Sequence, residues 1–213
     1  MLLDGRHRDI ARIALAAAGD KYGVAFAGGG ALQIHDVSSR RTQDVDLFVR
    51  NARYVRRAAM AMADALEGAG YRVERTSADA GLWEFEVYQP AAADPVQVQV
   101  AHFTYGKTVT TEVGPTVTLD YLATQKTVAI MERHQVRDYV DIASLVDAGF
   151  VVGQLISMAF ARAPYLEPAD AGDVGVHLDL VSDARLAREL PAGKTSGWVR
   201  DAFAQWPREP THE

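Results

Sequence analysis

Two aspartates at alternate positions, Asp44 and Asp46, are the residues of this sequence whose type and spacing most directly indicate chemistry. They lie in the segment Asp44–Val49, where apolar residues alternate with carboxylates and then fill the end, a pattern that predicts a β-strand. Alternate side chains of a strand leave the same face, with Cα atoms about 7 Å apart, so both carboxylates can converge on one cation. Without a cation their repulsion would favour protonation of one of them, so the pair fits a Mg²⁺ site. Taken alone, such a pair is more often two solvent-exposed aspartates on an edge strand, and the surrounding sequence is what favours the metal site.

A glycine triplet, Gly28, Gly29 and Gly30, follows the short apolar segment Tyr22–Ala27 and precedes a helix-like pattern. This order predicts a strand, a glycine turn and a helix. Backbone N–H groups at such a turn can approach phosphate oxygens because no Cβ atom obstructs them. The triplet therefore fits a triphosphate-binding turn, and a plain tight turn is the alternative when the triplet is taken alone.

Together with two later segments, these features resemble the nucleotidyltransferase fold of the DNA polymerase β superfamily. Within it they resemble the AbiEii-type toxins of bacterial toxin–antitoxin and phage-defence systems, including the mycobacterial MenT group. The run Gly28–Leu32 resembles the glycine motif, and Arg41–Leu47 resembles the Arg-(Thr/Ser)-x-Asp-hydrophobic-Asp-hydrophobic segment. Lys126 followed by Arg133 is similar to the third motif, and Arg137–Ile142 is similar to the fourth, basic-Asp-x-x-Asp. The first two motifs are shared widely among nucleotidyltransferases, whereas the last two, at this distance, are typical of the toxin branch.

The resemblance implies a set of site residues. They are metal-binding and catalytic Asp44 and Asp46, catalytic Lys126, Asp138 and Asp141, and substrate-binding Gly28, Gly29, Gly30, Arg41, Thr42 and Arg133. Lys126 and Arg133 are two helical turns apart and share a helix face, from which a lysine can act as a point charge on a triphosphate. Asp138 and Asp141 are also neighbours on a helix face. One of them can orient Lys126, and an exposed ion pair between Arg137 and Asp141 is the alternative.

The sequence departs from the family pattern in two places. Gly30 stands where the family commonly has Ser or Thr, which removes a hydroxyl that could contact a phosphate. Polymerase β-type enzymes also place a third carboxylate on a later strand, often as general base. Here that strand offers Gln97 and Gln99, which do not accept a proton usefully. Glu84, Glu86 and the fourth motif remain candidates for the base.

Four arginines form one basic cluster directly after the strand with the two aspartates: Arg50, Arg53, Arg56 and Arg57. Positions 50, 53 and 57 share one face of a predicted helix and would suit RNA phosphates. A solvent-exposed helix face without a ligand is the alternative.

The elements around these residues predict an α+β fold, a nucleotidyltransferase-type mixed β-sheet flanked by helices, with a mainly helical C-terminal part. The predicted strands are Tyr22–Ala27, Asp44–Val49, Tyr71–Thr76, Leu82–Tyr88 and Val96–Phe103. The predicted helices are Arg8–Ala18, Ala52–Leu66, Thr118–Met131, Val136–Ala148, Val151–Arg162, Asp183–Leu190 and Ser196–Gln205. The segment Pro164–Asp173 is predicted to be a loop. We expect residues 1–115 to form the catalytic core and residues 116–213 to form a helical region that contributes Lys126, Asp138 and Asp141 to the site.

Composition narrows the class of protein. The chain has 213 residues, of which 48% are hydrophobic and 23% charged, and no cysteine. No apolar run approaches the roughly 20 residues of a membrane span, and no secretory signal is visible, so we expect a soluble, cytoplasmic protein without a membrane partner. A net charge of −6 argues against a surface that is basic throughout, although it permits a local basic patch.

These observations predict a Mg²⁺-dependent nucleotidyltransferase. By the resemblance, it would be the toxin of a toxin–antitoxin system that transfers a nucleoside monophosphate from a nucleoside triphosphate to the 3′ end of tRNA. That modification would block translation, and a cognate antitoxin would hold the enzyme silent. One alternative acceptor is a protein hydroxyl or a small molecule such as an aminoglycoside. A second alternative is a catalytically weak module that binds nucleotide or antitoxin without turnover.

Overall fold

The protein is represented by a computed structural model that describes residues 3–90 and 92–208. Residues 1–2, at the start of the predicted catalytic core, and residues 209–213, at the end of the predicted helical region, lie outside the described residues. Contacts between residues divide the chain into two compact units. The first unit comprises residues 1–35 and 42–119, and the second comprises residues 36–41 and 120–213.

The first unit is a seven-stranded mixed sheet with three helices. Its strands are β1 (Val24–Ala27), β2 (Asp44–Val49), β3 (Arg72–Ala78), β4 (Leu82–Tyr88), β5 (Val96–His102), β6 (Thr108–Thr111) and β7 (Gly114–Val117). Its helices are α1 (Gly5–Tyr22), α2 (Gly28–Ile34) and α3 (Val55–Gly68), the last preceded by a short 3₁₀ turn at Ala52–Tyr54. The strand order is β3-β4-β5-β2-β1-β7-β6, which places β2 at the centre.

Strand β2 lies between β5, to which it is parallel, and β1, to which it is antiparallel. Val45, Leu47 and Val49 are fully buried on one face of β2. Because side chains alternate along a strand, this burial fixes the register and puts the aspartates of β2 on the opposite face. Helix α1 contacts α3, β1 and β2. The centre of the sheet is therefore a well-packed support for the residues of β2.

The second unit is helical, and its helices are α4 (Leu119–Arg133), α5 (Val136–Asp147), α6 (Val152–Arg162), α7 (Pro168–Leu180), α8 (Asp183–Ala187) and α9 (Ser196–Ala202). Helix α5 is its centre, because every residue from Asp138 to Leu145 is buried. The hydroxyl of Tyr139 donates to the carbonyl of Val174 at 3.0 Å, and Trp206 Nε1 donates to the carbonyl of Ala171 at 2.7 Å. These bonds satisfy the polar ends of two buried aromatic side chains around α7.

The predicted α+β class, with a mixed sheet and a helical C-terminal part, is confirmed, and β2 and β4 have the predicted bounds. Two predictions were incomplete or wrong. Strands β6 and β7 were missed because β6 is short, polar and largely exposed, and β7 contains Gly114 and Pro115, which are rare inside strands. The predicted loop at Pro164–Asp173 is wrong from Pro168 onward, where α7 begins with proline in its first turn and a capping box between Glu167 and Asp170.

Across residues 3–90 and 92–208, no helix combines the length and the apolar character that a transmembrane span needs.

Candidate active site

The two aspartates lie on the half-buried face of β2. Asp44, Asp46 and Phe48 are partly exposed, whereas the residues between them are buried. In the sheet Asp46 lies opposite Ala27 of β1 and Gln99 of β5. The two carboxylates therefore share one face in the middle of a sheet, and the alternative of an edge strand is wrong.

Gly28 brings the backbone at the start of α2 against Asp46. A Cβ atom at position 28 would lie 1.6 Å from Asp46 Oδ2 and 2.4 Å from its Cγ, so no residue with a side chain fits there without moving the carboxylate. Gly28 also has a φ of 64°, in the left-handed region that favours glycine. The predicted glycine turn is the first turn of α2 itself, since the helix begins at Gly28.

Packing explains the glycine at position 30. A Cβ atom there would lie 2.5 Å from Cζ of Phe26, a fully buried side chain of β1. Gly29 and Gly30 are both buried. A serine or threonine at position 30 would therefore require Phe26 to shift, which accounts for this departure from the family pattern.

A row of polar side chains extends the aspartate face across the sheet. Asp46 is in register with Gln99, and Gln99 with Glu84 of β4. Gln99 Nε2 donates to Glu84 Oε1 at 3.0 Å. The next row toward the start of β2 repeats this pattern, with Asp44, Gln97 and Glu86 in register and Gln97 Nε2 donating to Glu86 at 3.1 Å.

The hydrogen bonds of Glu86 affect its ionisation. The bonds from the Tyr88 hydroxyl, at 2.7 Å, and from Gln97 lower the pKa of Glu86 below its ordinary value. The lowered pKa makes the Glu86 carboxylate a weaker proton acceptor. Both glutamates also lie two strands from β2, about 10 Å away by strand spacing. Their predicted role as base in place of the missing third carboxylate therefore gains no support from this geometry.

The chemistry of Asp44 and Asp46 fits a magnesium ion. Mg²⁺ prefers oxygen ligands and is commonly held by one or two carboxylates, with water and substrate phosphates completing its shell. Because Gly28 lacks a Cβ atom, the backbone of α2 approaches the Asp46 carboxylate directly. Among residues 3–90 and 92–208, no cluster of three or more His, Cys, Asp or Glu side chains could hold a metal ion.

Two other predicted substrate-binding residues, Arg41 and Thr42, form the approach to β2. The Thr42 hydroxyl donates to the carbonyl of Asp44 at 3.4 Å, which helps to fix the start of the strand. The side chain of Arg41 is exposed, and its carbonyl accepts a hydrogen bond from Arg40 Nη1 at 3.0 Å. The Thr42 side chain thus stabilises β2 through a bond to the strand's backbone.

In the second unit, one buried carboxylate holds two cations. The side chain of Asp141 is 1% exposed, and its Oδ2 lies 2.7 Å from Lys126 Nζ. The guanidinium of Arg40 donates to both oxygens of Asp141, at 2.9 and 3.3 Å. Burial raises the pKa of Asp141, but the charges and hydrogen bonds of Lys126 and Arg40 outweigh it and hold that pKa below its ordinary value. The exposed pair with Arg137 is therefore wrong, and Asp141 orients Lys126.

The other aspartate of the fourth motif has a different partner. Asp138, fully buried, accepts two hydrogen bonds of 2.8 Å from Arg133 Nε and Nη2. This two-point geometry fixes the guanidinium of Arg133, whose side chain remains 39% exposed. Each aspartate of α5 thus binds one of the two predicted cations of α4: Asp141 binds Lys126, and Asp138 binds Arg133.

Arg40 is a residue that the motifs missed. It precedes the Arg41–Leu47 motif directly, and it pairs with an aspartate 101 positions away. Its Nη1 also lies 3.6 Å from Glu189 Oε2. No local pattern distinguishes it from its neighbour Arg41, so only the tertiary structure identifies it.

Aromatic rings and arginines alternate beyond the aspartate strand. Phe48 stacks on Phe103, with ring centroids 4.2 Å apart, and the Arg50 guanidinium lies 4.7 Å from the centroid of Tyr105. The guanidinium of Arg53 lies 4.6 Å from the ring centroid of its neighbour Tyr54. We call Phe48, Arg50, Arg53, Tyr54 and Phe103 the basic–aromatic surface; Tyr105, which supports Arg50, is itself buried.

The predicted helical face of positions 50, 53 and 57 is wrong, because α3 begins only at Val55. Arg53 lies in the preceding 3₁₀ turn, and Arg50 lies between that turn and β2. The arginines of this cluster are nevertheless exposed. Their arrangement follows from the turn after β2 and from ring contacts.

Comparisons with known proteins agree with this architecture. A family profile described as "Nucleotidyl transferase AbiEii toxin, Type IV TA system" matches residues 8–165. MenT4, a nucleotidyltransferase toxin from Mycobacterium tuberculosis, is similar in structure, with a TM-score of 0.62 and 14% identity over 92% of this chain and 80% of that one. JHP933 from Helicobacter pylori has a TM-score of 0.64 and 11% identity over 95% of this chain and 90% of that one. At these identities the two structures show a shared fold. No match was found among curated protein sequences.

Proposed function

The chain belongs to the AbiEii family of nucleotidyltransferase toxins of type IV toxin–antitoxin systems, and we propose that it transfers a nucleoside monophosphate to the 3′ end of tRNA in a Mg²⁺-dependent reaction. As a family member it is a nucleotidyltransferase, with a nucleoside triphosphate as substrate and an antitoxin as partner. The metal, the acceptor and the roles of individual residues are our proposals.

The observation that carries the proposal is the approach of Gly28 to Asp46. The missing Cβ at position 28 leaves the backbone of α2 beside a carboxylate that shares its strand face with Asp44. A phosphate chain bound here would meet backbone N–H groups on one side and a carboxylate-held cation on the other. Gly28, Gly29 and Gly30 are thus the proposed backbone contacts to the substrate.

The reaction is an in-line displacement at phosphorus. An acceptor hydroxyl oxygen forms a bond to the α-phosphorus and gives up its proton to solvent water, the bond from that phosphorus to the bridging oxygen of the β-phosphate breaks, and pyrophosphate leaves. When bound, Mg²⁺ would stabilise the charge on the phosphate oxygens. Asp44 and Asp46 would hold it, because the centre of the sheet keeps the two carboxylates on one face.

The roles of the second unit belong to the same proposal. By the family resemblance, Lys126 would supply positive charge to the triphosphate, and Arg133, Arg41 and Thr42 would bind substrate. Within the second unit Asp141 holds Lys126, and Asp138 holds Arg133. A buried carboxylate that fixes a cation lowers the entropy that the cation loses when it binds a phosphate. Residues 1–115 would then be the catalytic core, and residues 116–213 would supply these charges.

The basic–aromatic surface supports RNA as the acceptor. Aromatic rings stack with unpaired bases and arginines bind the phosphate backbone, a combination typical of single-stranded nucleic-acid binding. This surface begins at Phe48, on the same strand face as Asp46. The 3′ end of tRNA is single-stranded, and modification of it would block translation. We place this reaction in the cytoplasm, where tRNA and nucleoside triphosphates are available.

The test is incubation of the purified protein with total tRNA, Mg²⁺ and each α-³²P-labelled nucleoside triphosphate, read on a denaturing gel. We expect a labelled tRNA band with at least one nucleotide, and its loss in Asp46→Ala. Unchanged labelling in that variant would refute the role of the aspartate pair. Parallel reactions with protein lysate and with aminoglycosides test the other acceptors, and label found only there would refute tRNA as the acceptor.

A further inference from the structure

The polar face of the first unit contains two glutamines whose amide orientation is determined by their neighbours. Gln97 and Gln99 lie on β5, between the aspartates of β2 and the glutamates of β4. All these side chains are partly exposed, whereas the alternate residues of β5, such as Val98 and Val100, are buried. The row Asp46–Gln99–Glu84 is the one that reaches the start of α2, because Asp46 is the carboxylate next to Gly28.

The hydrogen bond to Glu84 fixes the direction of the Gln99 amide. An ionised carboxylate has no proton and only accepts hydrogen bonds, so the amide must turn its NH₂ group toward Glu84, as the 3.0 Å bond shows. The nitrogen and oxygen of an amide diverge from its carbon, so Oε1 of Gln99 does not face Glu84 when Nε2 does. On the side of β5 opposite to β4 lies β2, where Asp46 is level with Gln99.

We propose that Oε1 of Gln99 is a third protein oxygen ligand for the divalent cation of Asp44 and Asp46, and that Glu84 is the positioning residue that holds this oxygen toward β2. The proposal rests on the metal role of the aspartate pair in the proposed function. Amide oxygens are accepted ligands for hard divalent cations. Gln99 is level with Asp46 in the parallel pair β2 and β5, whose strands lie about 4.8 Å apart, within the span of one coordination shell for two long side chains.

A neutral third ligand changes the charge of the site. Two aspartates and an amide carry −2, whereas three carboxylates would carry −3. A site of lower charge binds the free cation more weakly and depends more on the charges of the triphosphate. The glutamine thus tunes the site toward a cation that arrives with its nucleotide.

The test measures cation binding directly, with Mn²⁺ as the probe, by electron paramagnetic resonance on the full-length protein with and without a non-hydrolysable triphosphate analogue. Replacing a ligand or its positioning partner typically lowers metal affinity about 10–100-fold. We expect a loss in this range for Gln99→Leu, a smaller loss for Glu84→Gln and tighter binding for Gln99→Glu. Glu74→Gln, the same change at an exposed glutamate of β3 in register with Glu86, is the matched control and should leave binding unchanged.

A double variant separates positioning from a merely structural role. A carboxylate at position 99 has two equivalent oxygens and needs no orientation, so Glu84→Gln should weaken Mn²⁺ binding in the wild type but not in the Gln99→Glu background. Equal weakening in both backgrounds would overturn the role of Glu84. Unchanged binding in Gln99→Leu would overturn the role of Gln99, and if that variant does not fold, weaker or equal binding in Gln99→Glu has the same meaning. Failure of the proposed function is distinguishable, because Asp46→Ala would then leave Mn²⁺ binding intact.

Discussion

Replacement of Asp141 by asparagine is expected to destabilise the second unit by about 3–5 kcal/mol at neutral pH, the usual cost of removing one partner from a buried ion pair. The side chain is 1% exposed and bonds two cations, Lys126 at 2.7 Å and Arg40 at 2.9 and 3.3 Å. Asparagine keeps the shape and one acceptor oxygen but loses the charge. The two cations would then remain close together without a shared counter-charge, and that repulsion is the reason for the large expected effect.

The effect should depend on pH, with a sign set by the lowered pKa of Asp141 in the folded protein. An unfolded aspartate has a pKa of about 3.9, so the native state favours the ionised form more than the unfolded state does. The stabilisation from Asp141 is therefore fully present above that value and is lost as the pH falls through the lower folded pKa. The difference in unfolding free energy between wild type and Asp141→Asn should be constant between pH 6 and 8 and shrink below about pH 4.

Urea unfolding followed by tryptophan fluorescence measures this difference. Trp206 is 2% exposed and lies in the second unit, as does Trp198, so a Trp83→Phe background removes the tryptophan of the first unit. The matched control is Asp147→Asn on the same helix. The side chain of Asp147 is 55% exposed and pairs with Lys194 at 2.8 Å, and exposed pairs contribute about 0–1 kcal/mol.

Two results would refute this reasoning. A cost for Asp141→Asn no larger than that for Asp147→Asn would mean that the buried cations find other compensation. A cost that stays constant from pH 8 down to pH 3 would mean that the ionisation of Asp141 does not contribute to it. Either result would remove the basis for treating Asp141 as the group that orients Lys126.

Two further predictions concern the first unit and the RNA acceptor. Gly28→Ala should lower nucleotide transfer about 100-fold, because the new Cβ would lie 1.6 Å from Asp46 Oδ2 and a 1 Å misplacement of a catalytic group costs about this much in rate. The control is Gly81→Ala, whose Cβ would meet nothing within 4 Å, and it should retain activity. Equal activities of the two variants would contradict the prediction. Arg53→Glu should weaken tRNA binding and lower the slope of log affinity against log salt by about 1, as loss of one phosphate contact does, in filter-binding assays. The same change at exposed Arg185 of the second unit is the control, and an equal effect there would indicate nonspecific electrostatics.

The sequence predicted the elements whose patterns are local. The alternation in Asp44–Val49 and Leu82–Tyr88 has the bounds of β2 and β4, because one face of each strand is buried and the other is not. Strand β6 has no such contrast, since three of its four residues are exposed. It is a strand because it pairs antiparallel with β7, and its own residues do not indicate that pairing. Helix α7 was missed because its alanines and glycines gave no apolar stripe, although the proline and capping residues at its start were present in the sequence.

The residues proposed for the site divide in the same way. Spacing alone predicted that Asp44 and Asp46 share one face, whereas the pairing of Lys126 with an aspartate of the next helix came from the family resemblance. The bond from Gln99 to Glu84 requires the register of two antiparallel strands, which a sequence pattern does not give. Side chains that depend on register or on distant pairing are therefore identified only by the tertiary structure.

The cluster around Asp141 shows why such distant pairs matter for function. Two cations and one carboxylate leave a net charge of +1, and replacing a buried ion pair by apolar residues is often neutral or stabilising, so stability alone is a weak reason to keep the cluster. Arg40 has a second carboxylate, Glu189, at 3.6 Å. With Glu189 included, two cations face two carboxylates, so Arg40 has a counter-charge besides the one it shares with Lys126. The side chain of Lys126 is 13% exposed and is held in place by Asp141. A partly buried, oriented lysine is suited to an anionic ligand, and the triphosphate of the proposed reaction is a ligand of that kind.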